Sequence, residues 1–234
     1  MAEPTLTITS GGAGLRALLS RAAGLDTHAT LRARQLTDSV VDVFVTTPFD
    51  VIASRRVAGR LSQEGVSASA ARVAQALADA HSGTAAESAD APCLIPLGPA
   101  QDAAWPGALP PAAGFRLLDT LPVTVVRQLA DEGQALTRQF SGPAGPPASL
   151  LSQTVVTVSS GGADDQSGGG GQASVDIPMR LIFACTNLGL IPGWGAADNV
   201  PRYLRVSAAG RWVRVDAPFG TVYHSKRSLL LSPL

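Results

Sequence analysis

Apolar residues recur in the same order near both ends of the chain. In each copy, a helical spacing of apolar residues comes first, then a Gly-Leu pair, then alternating strand-like stretches that end in Pro-Phe. The first copy consists of Leu15-Arg16, Leu18-Leu19, Ala22, Gly24-Leu25, Leu31-Arg32-Ala33, Val43, Val45 and Pro48-Phe49. The second consists of Met179-Arg180, Ile182-Phe183, Thr186, Gly189-Leu190, Leu204-Arg205-Val206, Val213, Val215 and Pro218-Phe219. This order predicts a duplicated helix-plus-hairpin unit.

The first copy predicts one helix and a small strand meander. Apolar residues at i, i+3, i+4 and i+7 place a helix over 13–23, with Gly24 as a left-handed stop. Alternation predicts strands over 30–34 and 40–46, and a third over 51–57 after the break at Pro48.

The middle of the chain predicts helices separated by loops. Ser67 is a suitable N-cap for a helix that runs through Ala80. A helix opens at Asp119 or Thr120 and reaches about residue 139. The stretch 149–158 has both helical and strand features, so both remain open.

The second copy predicts a helix and a hairpin. Asp176 caps the helix, and Pro178 sits in its first turn. Strands are expected over 202–206, 212–217 and 221–224. Four residues would point inward because side chains alternate between the two faces of a sheet: Leu204, Val206, Val213 and Val215.

These elements predict an α+β fold with two related helix-plus-β-hairpin units flanking a helical middle segment. The expected division is a helix-hairpin unit at 1–62, a helix at 63–82, a Pro/Ala-rich connection at 83–117 and a second unit at 118–234. A Gly/Ser/Asp tract at 159–173 predicts a mobile loop in the second unit.

The second unit resembles a winged helix in its order of elements. A final helix followed by a hairpin is the arrangement in which a helix enters the DNA major groove and the hairpin meets phosphates. Within this helix, Arg180 is the only basic residue, and the apolar residues around it do not suit the reading of base edges. The resemblance implies DNA binding as an alternative function.

Charge is unevenly distributed along a chain whose net charge is zero. Residues 202–234 contain six basic residues and one acidic residue, a net charge of +5, and the remainder carries −5. Such asymmetry favours an anionic partner for the C-terminal part, although a basic hairpin neutralised by the protein's own carboxylates has the same composition.

The candidate contact residues lie around the second hairpin. Guanidinium groups there could meet an anionic partner while aromatic rings supply apolar area. Alternatively, the rings are buried and the arginines cover them through cation–π contacts. The candidate partner-contact or nucleic-acid-contact residues are Arg180, Tyr203, Arg205, Arg211, Trp212 and Arg214.

Catalytic and metal-binding motifs are not recognisable in the sequence. His28, His81 and His224 stand apart without ligand spacing. His224 with Ser225 and Asp216 does not fit a nucleophile elbow, because neighbouring residues on a strand point to opposite faces. We therefore predict no catalytic residue, no cofactor and no bound metal, and we leave open whether the chain is an enzyme while favouring that it is not.

The two cysteines, Cys93 and Cys185, have no partner at a metal or redox spacing, which is typical of a reduced intracellular protein. No apolar stretch has the length of a membrane helix, and the first residues lack the pattern of a secretory signal. We expect a cytoplasmic binding protein that acts through protein–protein contacts of the basic hairpin. The alternatives are a DNA-binding regulator and an enzyme of unrecognised class.

Overall fold

The structure is a computed structural model that describes residues 3–82, 92–140, 147–160, 174–193 and 195–225. The strands are β1 (Thr5–Ser10), β2 (Thr30–Thr37), β3 (Val40–Thr46), β4 (Ile52–Leu61), β5 (Ser67–Ser69), β6 (Cys93–Pro96), β7 (Arg116–Pro122), β8 (Thr154–Ser159), β9 (Ser174–Pro178), β10 (Tyr203–Ala209), β11 (Trp212–Ala217) and β12 (Gly220–Ser225). The helices are α1 (Gly12–Leu25), α2 (Ala70–Ser82), α3 (Val123–Phe140), α4 (Ala148–Ser152) and α5 (Met179–Asn187), and a 3-10 turn occupies Asp102–Ala104.

The chain divides into two compact units. The N-terminal unit comprises Met1–Leu109 with Asn187–Leu190, and the C-terminal unit comprises Pro110–Thr186 with Ile191–Leu234. The predicted division at 62, 82 and 117 stays a prediction.

The N-terminal unit contains an antiparallel sheet in the order β5-β2-β3-β4-β1-β6. Helix α1 packs against α2 and contacts β3 and β4. Its buried residues are Gly12, Leu15, Leu18, Leu19 and Ala22. The core therefore lies between these helices and one face of the sheet, as the helical spacing of apolar residues predicts.

Strand β3 is buried on both faces, including the face that carries Asp42 and Phe44. Asp42 on that second face is 4% exposed, and its carboxylate accepts two hydrogen bonds from Arg56, at 2.8 and 3.0 Å. Phe44 is fully buried, with the Arg34 guanidinium 5.1 Å from its ring centroid. Two arginine side chains from the neighbouring strands thus take part in closing this face.

The C-terminal unit contains an antiparallel sheet in the order β12-β11-β10-β7, and a separate antiparallel pair β8-β9. Helices α3 and α5 meet at Gly133, where an added Cβ would lie 2.9 Å from atoms of Met179 and Phe183. The four hairpin residues predicted to point inward, Leu204, Val206, Val213 and Val215, are all buried. The alternation predicted for β10 and β11 is confirmed.

The winged-helix-like fold class is wrong. The hairpin β10-β11 is not a wing at the end of a helical domain, because β7 and β12 extend it into a four-stranded sheet. Helix α5 follows a strand directly, and so does α3. Between α2 and α5 the chain contains β6, β7, β8 and β9, so the helices are inserted between strands rather than gathered into a bundle.

Several element boundaries differ from the expectations. Ser67 lies in β5, and the helix begins at Ala70, where Ser69 Oγ accepts a hydrogen bond from the Arg72 N–H at 3.4 Å. Gly24 lies inside α1, which ends one residue later at Leu25. Asp176 and Pro178 belong to β9 and not to the start of a helix.

The stretch 149–158, left open between helix and strand, falls in both, in α4 and then in β8. The glycine-rich loop predicted at 159–173 lies outside the described residues from position 161 onward.

The order β-α-β-β-β occurs in each unit, as β1-α1-β2-β3-β4 and as β9-α5-β10-β11-β12. The rest of each unit also runs from strand through helix to strand, as β5-α2-β6 in the N-terminal unit and as β7-α3-α4-β8, with a second short helix, in the C-terminal unit. The internal repeat inferred from the sequence stays a prediction.

Candidate interaction surface on the C-terminal unit

The C-terminal sheet has one buried apolar face and a second face that carries most of the candidate residues. The second face is called here the outer face. Residues directly opposite each other on antiparallel strands share a face. The register places Thr120, Arg205, Asp216 and Thr221 in one row across β7, β10, β11 and β12. The next row contains Leu117, Ser207, Arg214 and Tyr223.

Asp216 is the electrostatic centre of the outer face. Its carboxylate accepts hydrogen bonds from the Arg214 guanidinium at 2.7 to 2.9 Å and from the Thr221 hydroxyl at 2.8 Å. The Asp216 side chain is only 13% exposed and that of Arg214 28% exposed. Arg214 is therefore largely neutralised within the protein.

An aromatic contact covers the second row. Phe115, just before β7, lies with its ring centroid 5.9 Å from that of Tyr223, and the Arg214 guanidinium is 5.0 Å from the Phe115 centroid. Ser207 and Tyr223 in the same row are buried, at 5% and 7% exposure. Arg214 is a bridge between Phe115 and Asp216, which makes it a structural residue of this surface.

The third candidate pair is Arg211 with Trp212. The Arg211 guanidinium lies 5.8 Å from the Trp212 ring centroid, and Trp212 is half-buried. This pair matches the interpretation in which an arginine covers an aromatic ring. Arg211 itself is exposed, so the pair still faces solvent.

Tyr203 and Arg205 are the accessible members of the outer face. Tyr203 is 50% exposed, against the interpretation in which its ring is buried. The Arg205 side chain is 57% exposed, and its nearest carboxylate oxygen, on Asp216, is 3.9 Å away. On β7, Leu117, which lies opposite Ser207 in the next row, is 57% exposed. Leu117, Thr120, Tyr203 and Arg205 form an accessible strip, called the β7–β10 strip below.

Arg180 does not join the hairpin residues. It lies on α5, and its guanidinium donates to the Leu151 carbonyl at 3.3 Å and to the Ser152 hydroxyl at 2.9 Å. These bonds attach the start of α5 to the end of α4. The helix predicted as a DNA-reading element therefore uses its basic residue for an internal contact.

The sequence reasoning missed four residues that build this surface: Phe115, Leu117, Thr120 and Tyr223. Three of them precede or occupy β7, a stretch for which the sequence predicts a connection and the start of a helix. Residues 116–122 do not alternate regularly between apolar and polar, and the proline at the end was the one available signal for an edge strand.

Two features bear on chemistry at other positions. Within the described ranges, no group of three or more His, Cys, Asp or Glu residues could hold a metal ion. Burial raises the pKa of the Cys185 thiol to about 12, because the thiolate would lose its hydration in the core. Cys185 is therefore a small buried apolar residue.

The fold of the chain is similar to that of bacterial DNA sliding clamps. A Pseudomonas aeruginosa DNA polymerase sliding clamp with a ligand superposes with a TM-score of 0.51 at 12% identity, over 97% of this chain and 66% of the clamp chain. The DNA polymerase III subunit beta from the same organism gives 0.51 at 14% identity, over 94% and 64%. A putative DNA polymerase III beta subunit from Eubacterium rectale gives 0.50 at 11% identity, over 95% and 64%.

This similarity places the chain in the class of sliding-clamp folds, which are built largely from antiparallel sheet, and it replaces the winged-helix expectation. The chain spans about two thirds of the length of those clamp chains. It belongs to the family described as Domain of unknown function (DUF8185), whose model matches residues 110–229. A second model, Domain of unknown function (DUF8010), matches residues 1–107. No curated protein matches the sequence of this chain.

The two family models meet between residues 107 and 110, where the two compact units also divide. Among the described helices, none is both long and apolar enough to cross a membrane.

Proposed function

We propose that this chain is a non-enzymatic binding protein that acts through protein–protein contacts, with the outer face of the C-terminal sheet as the contact surface. The observation that carries the proposal is the β7–β10 strip: Tyr203 and Leu117 are each at least half exposed beside the exposed Arg205. Tyrosine and arginine are enriched among the residues that dominate protein–protein binding energy.

The strip also has the rigidity that a contact surface needs. β10 is paired on both sides, with β7 and β11, so Tyr203 and Arg205 are held on a hydrogen-bonded strand. Ordering these side chains on binding therefore costs less conformational entropy than ordering a loop would. The clamp-like fold supports the same proposal, because its large antiparallel sheets present such faces.

The distribution of charge favours protein over DNA as the partner. Arg214 is paired with Asp216, and Arg202 donates to the carbonyls of Gly193 and Ala196 at 3.0 and 2.8 Å. Arg205 and Arg211, together with the exposed Arg202, whose bonds to neutral carbonyls leave its charge in place, are the accessible cations in and next to the described hairpin. Sequence-independent DNA binding uses several phosphate contacts, each of which releases counterions, and three arginines supply few.

The test is affinity capture from the native cytoplasm with the full chain, followed by titration of each purified captured protein. The test variant carries Tyr203→Ala with Arg205→Glu. The control is Arg60→Glu, which reverses the charge of an exposed strand arginine in the N-terminal unit. We expect one partner to bind the wild type and the control alike and to bind the test variant at least about tenfold more weakly, since loss of such anchors costs about 2 kcal/mol or more.

Two results would contradict the proposal. The first is a partner set that is unaffected by the test variant. The second is tight binding to duplex DNA with a steep salt dependence, measured at two salt concentrations and abolished by Arg205→Glu.

The localisation and the internal repeat also remain proposals. A cytoplasmic site of action fits the buried free thiol of Cys185. The internal repeat is supported by the shared β-α-β-β-β order of the two units.

A further inference from the structure

The edge of strand β7 has a backbone donor that faces away from the sheet. Among the described residues, β7 pairs with β10 alone and ends the sheet of the C-terminal unit. The Val123 N–H donates to the Arg202 carbonyl at 2.9 Å. Because backbone N–H groups point to alternate sides along a strand, those of residues 121 and 119 also point towards β10. The N–H of Thr120 therefore points to the open side.

That donor is occupied by a neighbouring side chain. The Thr120 N–H donates to Asp119 Oδ1 at 2.7 Å, and both residues are exposed. A carboxylate that covers the N–H of an edge strand protects the edge from indiscriminate pairing. Because Asp119 is exposed and its hydrogen bond is local, an incoming strand carbonyl could replace it at little cost.

The side chains along this edge define the chemistry of what would fit. On the outer face, Leu117 and Tyr203 supply apolar area, and Arg205 lies between them. Within the described ranges Arg205 has no hydrogen bond, and its one ion-pair partner, Asp216, already accepts bonds from Arg214 and Thr221. Arg205 therefore has donors available for a second carboxylate.

We propose that the partner presents an extended acidic segment that adds, as a further strand, to the edge of β7 with which no described strand pairs, and that places a carboxylate at Arg205. Added strands gain affinity from main-chain hydrogen bonds and specificity from alternate side chains. An added strand would lie about 10 Å from β10, two strand spacings away, which an arginine and a glutamate together can span. The inference rests on the proposed function, since it specifies the partner of the same surface.

The proposal predicts a competition between Asp119 and the partner for one N–H. Asp119→Ala frees the N–H of Thr120 and removes a like charge, so it should strengthen binding several-fold. Asp119→Asn removes the charge but keeps an oxygen that can accept the same bond, so it should strengthen binding less. This order separates strand addition from a purely electrostatic effect.

The experiment begins with selection of 12-residue peptides from a random display library on the full-length chain. The enriched peptides are then synthesised and titrated by fluorescence anisotropy. We expect them to carry Asp or Glu within an alternating apolar pattern. Arg205→Glu should weaken their binding about tenfold or more, and Arg205→Lys should weaken it less.

Two independent changes test the pairing of backbones. Thr120→Pro removes the outward N–H without removing a hydrogen bond to β10, and it should weaken binding about tenfold. Thr120→Ala keeps the N–H and loses only the side chain, so it should weaken binding much less. Should Thr120→Pro fail to fold, methylation of alternate backbone amides in the peptide makes the same test on the wild-type protein. N-methylated peptides should lose binding about tenfold.

The outcomes distinguish the inference from the proposed function. Peptides that depend on Arg205 but bind Thr120→Pro and tolerate N-methylation would overturn strand addition while leaving a protein-contact surface in place. No enriched peptide, or peptides that are indifferent to Arg205 and Thr120 alike, would overturn the inference. A partner captured through Tyr203 and Arg205 would in that case still support the proposed function.

Discussion

Replacing Gly59 by alanine should destabilise the N-terminal unit by about 3 kcal/mol. Gly59 lies on β4 opposite Ile8 of β1, where a Cβ would stand 2.1 Å from the Thr7 carbonyl oxygen and 3.2 Å from the Ile8 Cα. Carbon–oxygen contacts are normally about 3.3 Å or longer, so β1 must retreat by about 1 Å. Neither atom belongs to a flexible side chain, so the clash cannot be relieved by a change of rotamer.

The magnitude follows from the ladder that this retreat disrupts. About three β1–β4 hydrogen bonds at about 1 kcal/mol each would be lost, which agrees with the upper range of penalties for overpacking. On the other side, the Gly59 N–H donates to the Ser39 carbonyl at 2.8 Å, so β4 cannot move away from β1 freely. For a chain of this length, we expect a fall in Tm of about 6 to 12 °C.

Thermal unfolding followed by circular dichroism and a urea titration would measure the loss. The matched control is Gly24→Ala, because Gly24 lies exposed within α1 and an added Cβ there has no atom within 4 Å. That variant should gain about 0.5 to 1 kcal/mol from helix propensity. A Gly59→Ala protein within 0.5 kcal/mol of wild type would refute the reasoning about β1.

Three further predictions concern other sites. Asp216→Ala should lower the free energy of unfolding by about 3 kcal/mol, because it leaves Arg214 partly buried without its carboxylate. Asp42→Ala should lower it by about 2 kcal/mol, because the partner of Asp42, Arg56, is 64% exposed. Equal urea midpoints for the two variants would contradict this order. Gly133→Ala should lower the free energy of unfolding by about 1 to 2 kcal/mol, since its Cβ would lie 2.9 Å from atoms of Met179 and Phe183. Replacing Met179 by a smaller residue in the same variant should recover part of the loss in Tm. Burial raises the pKa of Cys185 from 9.0 to about 12, so the contribution of the protonated thiol to stability is complete below pH 9 and is lost as the pH rises towards 12. The stability of the wild type should therefore fall over that pH window more than the stability of Cys185→Ala. At pH 8 an aromatic disulfide reagent should label the half-buried Cys93 and spare Cys185 until urea is added.

The elements that could be predicted from sequence are those whose own periodicity is strong. Strand β3 was predicted with its observed bounds, and so was β11, because their valines alternate over six or seven residues. Helix α1 was found within two residues at each end for the same reason. Short edge strands such as β6 and β7 were missed, since prolines and few apolar residues made them similar to loops.

The candidate surface was predicted in part. The alternation of β10 and β11 placed Tyr203, Arg205, Trp212 and Arg214 on one face, and the register confirms that placement. Their chemical differences could not be predicted, because they depend on how partner side chains are arranged in the folded sheet. The Phe115 ring, nearly a hundred residues away in sequence, lies against the Arg214 guanidinium. Asp216 is already hydrogen-bonded to Arg214 and Thr221, so the Arg205 guanidinium stays available for a carboxylate of a partner.

By itself, the sequence determined which residues are buried within each strongly periodic element, since the spacing of apolar side chains decides the buried face of a helix or strand. It also predicted a helix followed by strands near each end of the chain, although not the strand that precedes each of these helices. Only the tertiary structure decided that these strands join β7 and β12 in an antiparallel sheet instead of forming a wing on a helical bundle. Strand pairing is made by backbone groups that every residue carries, so the neighbours of a strand are chosen by packing across the whole unit and not by local pattern.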